Sequence, residues 1–335
     1  MKILLTGASG FVGSHVLRHL LLNTGAEIVC PVTFRHKGAA PRLWGAWQGH
    51  PSLRDRLDVL PGVDLCAPID SVTESAIGHV DYILNVASES HVDRSITEPG
   101  AFIRNNVLLM TNLLDYARRV EPRMFLQMST DEVYGPAHGE RRHKEGEPYR
   151  PSNPYSASKA AQEAICFSYW RTYGVPVVIT NTMNIIGEMQ DSEKFVPKII
   201  KAVREDMPIT MHVTPGGTPG SRFYLHARNL ADAWLYLMLN HEPQSYPHSE
   251  DLSRFNIVGE REVNNREMIS LIENMMGKTA DIQPVDFHQS RPGHDPRYAL
   301  DGIKLAATGW KAPVPFEESL RRTVQWTLER PEWLS

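Results

Sequence analysis

The sequence predicts an α/β protein built on a doubly wound parallel sheet, with a smaller lobe in its C-terminal half. Three observations carry this expectation. The apolar run Ile3-Leu4-Leu5 passes directly into glycines at 7, 10 and 13, followed by an amphipathic helical pattern reaching about Leu22. Short strand-like runs then alternate with helical patterns, and strands separated by helices pair in parallel through crossovers. From about Met183 the alternation loosens and proline and glycine become frequent, notably from Thr214 to Gly220.

Taken in order, the first strand and its glycines form a phosphate-binding turn. Gly7, Gly10 and Gly13 permit a tight bend, and with Phe11 and Val12 they let backbone N–H groups approach a pyrophosphate at the positive end of the helix. GxxGxxG is weak alone; after a strand and before a helix it points to a dinucleotide. A second strand is expected from Glu27 to Thr33, where an NAD enzyme carries an acid for the adenosine ribose. Here Val32 and Thr33 stand at that end, followed by Arg35, His36 and Lys37. Without the acid a 2′-phosphate meets no repulsion and Arg35 can pair with it, which favours NADP; the same residues also suit a solvated loop. Asp64 and Leu65, in the loop after Asp58-Val59-Leu60, are placed near an adenine. A fourth strand is expected over Asp81 to Ala87, with Val86 and Ala87 small enough for close passage of a cofactor, and a polar cluster follows from Ser88 to Ser95. Helical periodicity covers Ala101 to Val120.

Met124-Phe125-Leu126 reads as the fifth strand, which puts Thr130, Asp131 and Glu132 at a carboxyl end, where open parallel sheets bind ligands. The next helix is expected from Pro154 to Tyr173. Tyr155 and Lys159 lie one turn apart on one face. An ammonium beside the phenol is expected to lower its pKa from about 10, so that it serves as a base near neutrality. Further strands are expected at Val175 to Thr180 and Phe255 to Val258. Residues 1–182 thus read as a Rossmann-type NAD(P)-binding domain, with 223–260 partly returning to it, and 183–335 as a substrate lobe.

A net charge of −4 with mixed signs gives no nucleic-acid footprint. Three scattered cysteines without CxxC spacing suit a reducing, cytoplasmic setting. No apolar run of about 18 residues exists for a membrane span. None of the 14 histidines falls in an HExxH-like array, so no metal site is expected.

The segments TGASGFVGSH (6–15), NVASESHVDRSI (85–96), STDEVYG (129–135), NPYSASKA (153–160), EKFVPKII (193–200) and RPGHDPRYALD (291–301) jointly resemble the extended short-chain dehydrogenase/reductase family. Within it, the chain is similar to nucleotide-sugar 4,6-dehydratases of the dTDP-glucose type. The resemblance implies that Tyr155 takes the proton of the sugar 4-hydroxyl, Lys159 holds the nicotinamide ribose, and Thr130 bonds the 4-hydroxyl. It implies that Glu132 removes the proton at carbon 5 and Asp131 protonates the departing 6-hydroxyl. Ser88 is implied at the cofactor, and Ser90, His91, Lys194, Phe195 and Val196 at the substrate. Asn184, Arg222 and Arg291 are implied at its diphosphate, with His294 nearby. NAD and a homodimer through a four-helix bundle are further implications. Departures from the pattern are Val32 for the acid, Ile185-Ile186-Gly187-Glu188 near the nucleoside, and no tyrosine in Pro208 to Met211 to stack on thymine. A 4-epimerase or 5,6-dehydratase would use the same tyrosine and cofactor. A non-catalytic dinucleotide-binding regulator would not need all five reactive residues.

Overall fold

The computed structural model describes residues 1–35, 37–287 and 295–335. Its centre is a seven-stranded sheet in the order β10-β6-β5-β4-β1-β2-β3. The strands are β1 (Lys2–Thr6), β2 (Glu27–Val32), β3 (Leu57–Pro61), β4 (Tyr82–Asn85), β5 (Met124–Thr130), β6 (Val177–Thr182) and β10 (Ser253–Ile257). All neighbours pair in parallel. Both faces are covered, so β1 and β4 are almost wholly apolar, whereas β5, β6 and β10 also bury polar residues that bond one another. Ile3, Leu5 and Leu84 face α1 (Phe11–Asn23) and α8 (Ala227–Asn240), whereas Leu4, Ile83 and Phe125 face α5 (Pro99–Val120) and α6 (Pro154–Tyr173). The direction of winding reverses between β1 and β4, which opens a crevice at their carboxyl ends.

Residues at several boundaries differ from the sequence expectation for local reasons. α5 starts at Pro99, whose fixed φ suits the first helical position. β6 begins after Pro176, which has no N–H to offer a ladder, and runs on to Thr182. β10 lies two residues earlier than expected at its start, at Ser253. α6 matches the expected span because its ends are strongly marked. Asn153 and Ser156 form a reciprocal capping box, Pro154 occupies the first turn, and Gly174 closes the helix in the left-handed conformation.

The remaining core unites α7 (Phe195–Glu205), α9 (Asn265–Met276) and the helix Phe316–Glu329 through Ile199, Ile200, Met268, Ile269 and Leu320. It carries a three-stranded sheet, β11 (Glu262–Asn264), β9 (Ser221–His226) and β7 (Asn184–Ile186), and the pair β12 (Ile282–Asp286) with β8 (Ile209–Val213). Among the described residues no helix is long and apolar enough to cross a membrane.

Candidate active site

The β1–α1 turn is built around close backbone contact. Gly7 has φ +69°, and a Cβ there would lie 2.8 Å from the Ala87 nitrogen; at Gly13 a Cβ would lie 2.0 Å from the Gly7 oxygen. Only glycine fits either place. This bend floors a cleft of about 290 Å³ bordered by Gly7, Gly10, Phe11, Val12, Gly13, Thr33, Arg35, Asp64, Leu65, Val86, Ala87, Ser88, Tyr155 and Lys159. The sequence-expected cofactor positions therefore share one cleft, and its glycine cradle at a helix N-terminus fits a dinucleotide pyrophosphate. On the far wall Arg35 is paired with Asp64 at 2.6 Å. Lys37, which sequence reasoning assigned no role beyond a basic loop, reaches Glu193 at 3.1 Å, and His91 reaches the same carboxylate at 3.2 Å. Buried Arg42 holds Asp191 at 3.0 Å. Charges far apart in sequence thus tie Asp191 and Glu193, which line the cleft, to Lys37, His91 and Arg42.

At the inner end, β5 delivers Thr130 and a tight turn follows over Asp131–Tyr134. The Thr130 hydroxyl donates to Asp131 Oδ1 (3.0 Å) and accepts from the Glu132 N–H (3.3 Å), and it lies beside the Tyr155 phenol. Asp131 is 3% exposed, and its Oδ2 has no hydrogen-bond partner among the described residues. Burial, reinforced by the neighbouring Glu132 charge, pushes its pKa up to about 7. Glu132 is also raised by burial, but the Asn153 side-chain amide donates to its Oε2 at 3.1 Å and, with Arg222 and Lys194, opposes that rise. The two carboxyls therefore differ in environment.

The phenol departs from the sequence expectation. Burial, then the charges of Glu132 and Asp131, push the Tyr155 pKa up rather than down. The Lys159 ammonium is engaged elsewhere, donating to the Met128 carbonyl (2.8 Å) and Gln162 Oε1 (2.6 Å), and burial lowers its own pKa to about 8. Gln162 in turn meets Gln127, which accepts from Asn85, which accepts from Thr6. A buried polar chain thus joins Lys159 to the glycine turn.

Of the expected substrate residues, Ser90, His91 and Lys194 border the cleft. Val196 does not: its side chain is buried with Ile199 and Ile200 in the second core, because α7 is amphipathic and this position lies on the inward stripe. Phe195 packs against the same core, and Asn184 is exposed on β7, outside the cleft lining. Arg222 donates to the carbonyls of Ser221, Asp295 and Pro296 and lies over the Tyr298 ring, yet its charge still reaches Asp131 and Glu132. Arg291 and His294 lie outside the described residues. Away from the cleft, Glu188 gathers His15 and His226, a cluster of possible metal ligands. His226 Nδ1 accepts the Arg228 N–H, so its proton sits on Nε2, 3.0 Å from the Glu188 carboxylate; His15 Nε2 bonds the Glu188 carbonyl at 2.9 Å.

Residues 4–323 match the family described as GDP-mannose 4,6 dehydratase. The chain belongs to this family. It is 33% identical to the dTDP-glucose 4,6-dehydratase of Neisseria meningitidis serogroup B (strain MC58), over 99% of this chain and 94% of that protein. The crystal structure of DesIV, a dTDP-glucose 4,6-dehydratase from Streptomyces venezuelae with NAD and TYD bound, is 29% identical, with a TM-score of 0.86 over 99% of this chain and 98% of that one. The UDP-glucose 4-epimerase of Thermus thermophilus, complexed with NAD, shares the fold nearly as well, at TM-score 0.84 and 26% identity over 98% and 100% of the chains. The chain is thus an extended short-chain dehydrogenase/reductase of the dehydratase family, an NAD(P)-dependent enzyme.

For this family member the paired carboxyls set a pH dependence. Chemistry that needs protonated Asp131 is expected to fall as pH rises through about 7. The folded-state pKa lies above the unfolded value of about 3.9, so the extra proton stabilises the fold fully below that value and the benefit is lost as pH rises through about 7. Asp131→Asn is therefore expected to melt higher than the wild type at about pH 8 and at the same temperature near pH 4. Equal melting temperatures at both pH values would remove the desolvated carboxyl from the account.

Proposed function

We propose that this enzyme is a nucleotide-sugar 4,6-dehydratase acting on an NDP-hexose, with dTDP-glucose the leading candidate. The observation that supports it best is the pair Asp131 and Glu132, both directed inward beside Tyr155 and Thr130, one carboxyl without a partner on Oδ2 among the described residues and the other held by an amide. Burial raises both carboxyls, but only Glu132 has an amide donor that opposes the rise.

Tyr155, beside Thr130, takes the proton of the 4-hydroxyl. Held by the glycine turn and Lys159, an oxidised nicotinamide would supply the redox chemistry, oxidation at carbon 4 and reduction at carbon 6. A ketone at carbon 4 acidifies carbon 5, whose proton Glu132 accepts. Asp131 gives its proton to the 6-hydroxyl, so that water leaves rather than hydroxide and a carbon 5–carbon 6 double bond forms. Returning the Glu132 proton to carbon 5 completes a 4-keto-6-deoxyhexose. Lys159 is placed to meet a nicotinamide ribose, Ser90, His91 and Lys194 the sugar, and Arg222 the diphosphate.

Residues 1–182 with β10 form the cofactor part of this proposal, and 183–335 the nucleotide-sugar part. NADP is the proposed dinucleotide, because Val32 brings no carboxylate to the ribose while Arg35 and Lys37 line the same wall; binding it requires Arg35 to exchange Asp64 for phosphate. We also propose a homodimer through α5 and α6, whose outer surface leaves Ile103 and Leu108 exposed; a monomeric mass by light scattering would exclude it. The deciding experiment incubates the protein with dTDP-, UDP- and GDP-hexoses and either dinucleotide, following water loss by mass spectrometry. Loss of one water with a 6-deoxy product is expected. An epimerised product of unchanged mass, or none, would overturn the reading.

A further inference from the structure

We infer that Asn153 is a positioning residue that makes Glu132, and not Asp131, the ionised member of the carboxyl pair; this rests on the function proposed above. Asn153 lies outside the acidic turn in sequence and is 6% exposed. Its side chain does two jobs at once. Oδ1 accepts the Ser156 N–H at 2.9 Å, the N-cap bond of α6, and Nδ2 donates to Glu132 Oε2 at 3.1 Å. The cap decides which end of the amide is oxygen, because only oxygen can accept from a backbone N–H. That choice turns the NH₂ end towards Glu132. Ser156 Oγ accepts the Asn153 N–H at 3.2 Å and Pro154 follows directly, so the residue is held from both sides.

The chemical consequence follows from the type of group offered. An amide N–H donor lowers the energy of a carboxylate and offers nothing to a carboxylic acid's proton. Glu132 receives it, at the positive end of a 20-residue helix. Asp131 receives the Thr130 hydroxyl on Oδ1, and among the described residues no hydrogen-bond donor reaches its buried Oδ2. Two adjacent buried carboxyls would otherwise share one proton with no fixed assignment. Of the residues that cap a helix well, aspartate, serine and threonine accept the same N–H but bring no amide donor to the other side. Asparagine alone combines both functions at this position.

The test is Asn153→Ser, which keeps a capping oxygen for Ser156 and removes the donor to Glu132. Site-specific isotope-edited infrared titration of the Glu132 carboxyl in the dinucleotide-loaded protein reads the charge assignment without turnover. The Glu132 pKa is expected to rise by about one unit, the worth of one hydrogen bond to a charged group. Dehydration should slow roughly 10- to 100-fold, with the acidic limb of the rate profile displaced upwards and reduced nicotinamide accumulating because elimination, not oxidation, is slowed. Dinucleotide affinity and melting temperature should stay at the wild-type values. An unmoved Glu132 titration overturns the inference, as does a loss of rate accompanied by equal loss of stability and cofactor binding. A wild type that dehydrates no NDP-hexose would instead sink the proposed function, while the titration still decides the role of Asn153.

Discussion

Tyr155→Phe is expected to lower turnover by about 10²- to 10⁴-fold, the range for removing a positioned proton-transfer group, while dinucleotide binding is retained. The ring itself should stay in place. It packs edge-on against Phe102 at 6.2 Å between centroids, and its backbone N–H is held by Ser95 Oγ at 3.1 Å. Thr130 keeps its bonds to Asp131 and to the Glu132 N–H, so the carboxyl pair is not released. What disappears is the phenolic hydroxyl to which the proposed function assigns proton exchange with the sugar. Product formation by mass spectrometry and dinucleotide titration by fluorescence measure the two effects separately. Turnover near the wild-type rate would take the phenol out of the reaction.

Breaking the ion pair beneath the reactive turn is expected to cost the most stability. Glu163 is fully buried on α6 and pairs with Arg254 of β10, itself 5% exposed. The same carboxylate accepts from Ser129, from Asn181 Nδ2 at 2.7 Å and from the Tyr149 hydroxyl at 3.0 Å. It thus ties β5, β6, β10 and α6 together one residue before Thr130. Arg254→Met leaves a buried carboxylate without its counter-charge, a change that costs about 3–5 kcal/mol. Adding Glu163→Gln should restore much of the loss, because the stranded charge is then gone. Denaturant unfolding of the single and double variants tests both statements; a loss under about 1 kcal/mol for Arg254→Met would mean that water or the three remaining donors neutralise Glu163. Glu163 also raises the pKa of Lys159, one turn away, so the double variant, which removes that charge, should lower the lysine's pKa further.

The contrast between what was readable early and what was not has a consistent cause. Gly7, Gly10 and Gly13 announce the cleft because their requirement is local, a bend whose Cβ positions are filled by backbone. Tyr155 and Lys159 share a face because helical spacing alone puts them there, and the boundaries of α6 follow from its own cap residues. The charge on the phenol was misjudged from spacing. Lys159 is drawn to the Met128 carbonyl and Gln162, and burial together with two carboxylates dominates at Tyr155. A motif position does not reveal that the Val196 side chain faces a core rather than the cleft. Arg35 looked free in the sequence, but Asp64 arrives beside it from another strand's loop.

By itself, then, the sequence determined a parallel α/β fold, a glycine-lined cleft and the set of reactive side chains, since each depends on neighbours within about one turn or one strand. Tertiary structure alone decided that burial raises both carboxyls while only Glu132 receives an amide donor, where Lys159 spends its donors, and that Lys37, His91 and Arg42 meet the carboxylates of Asp191 and Glu193. These depend on burial and on charges brought together from distant segments, and electrostatic energy is set by distance and dielectric rather than by order along the chain.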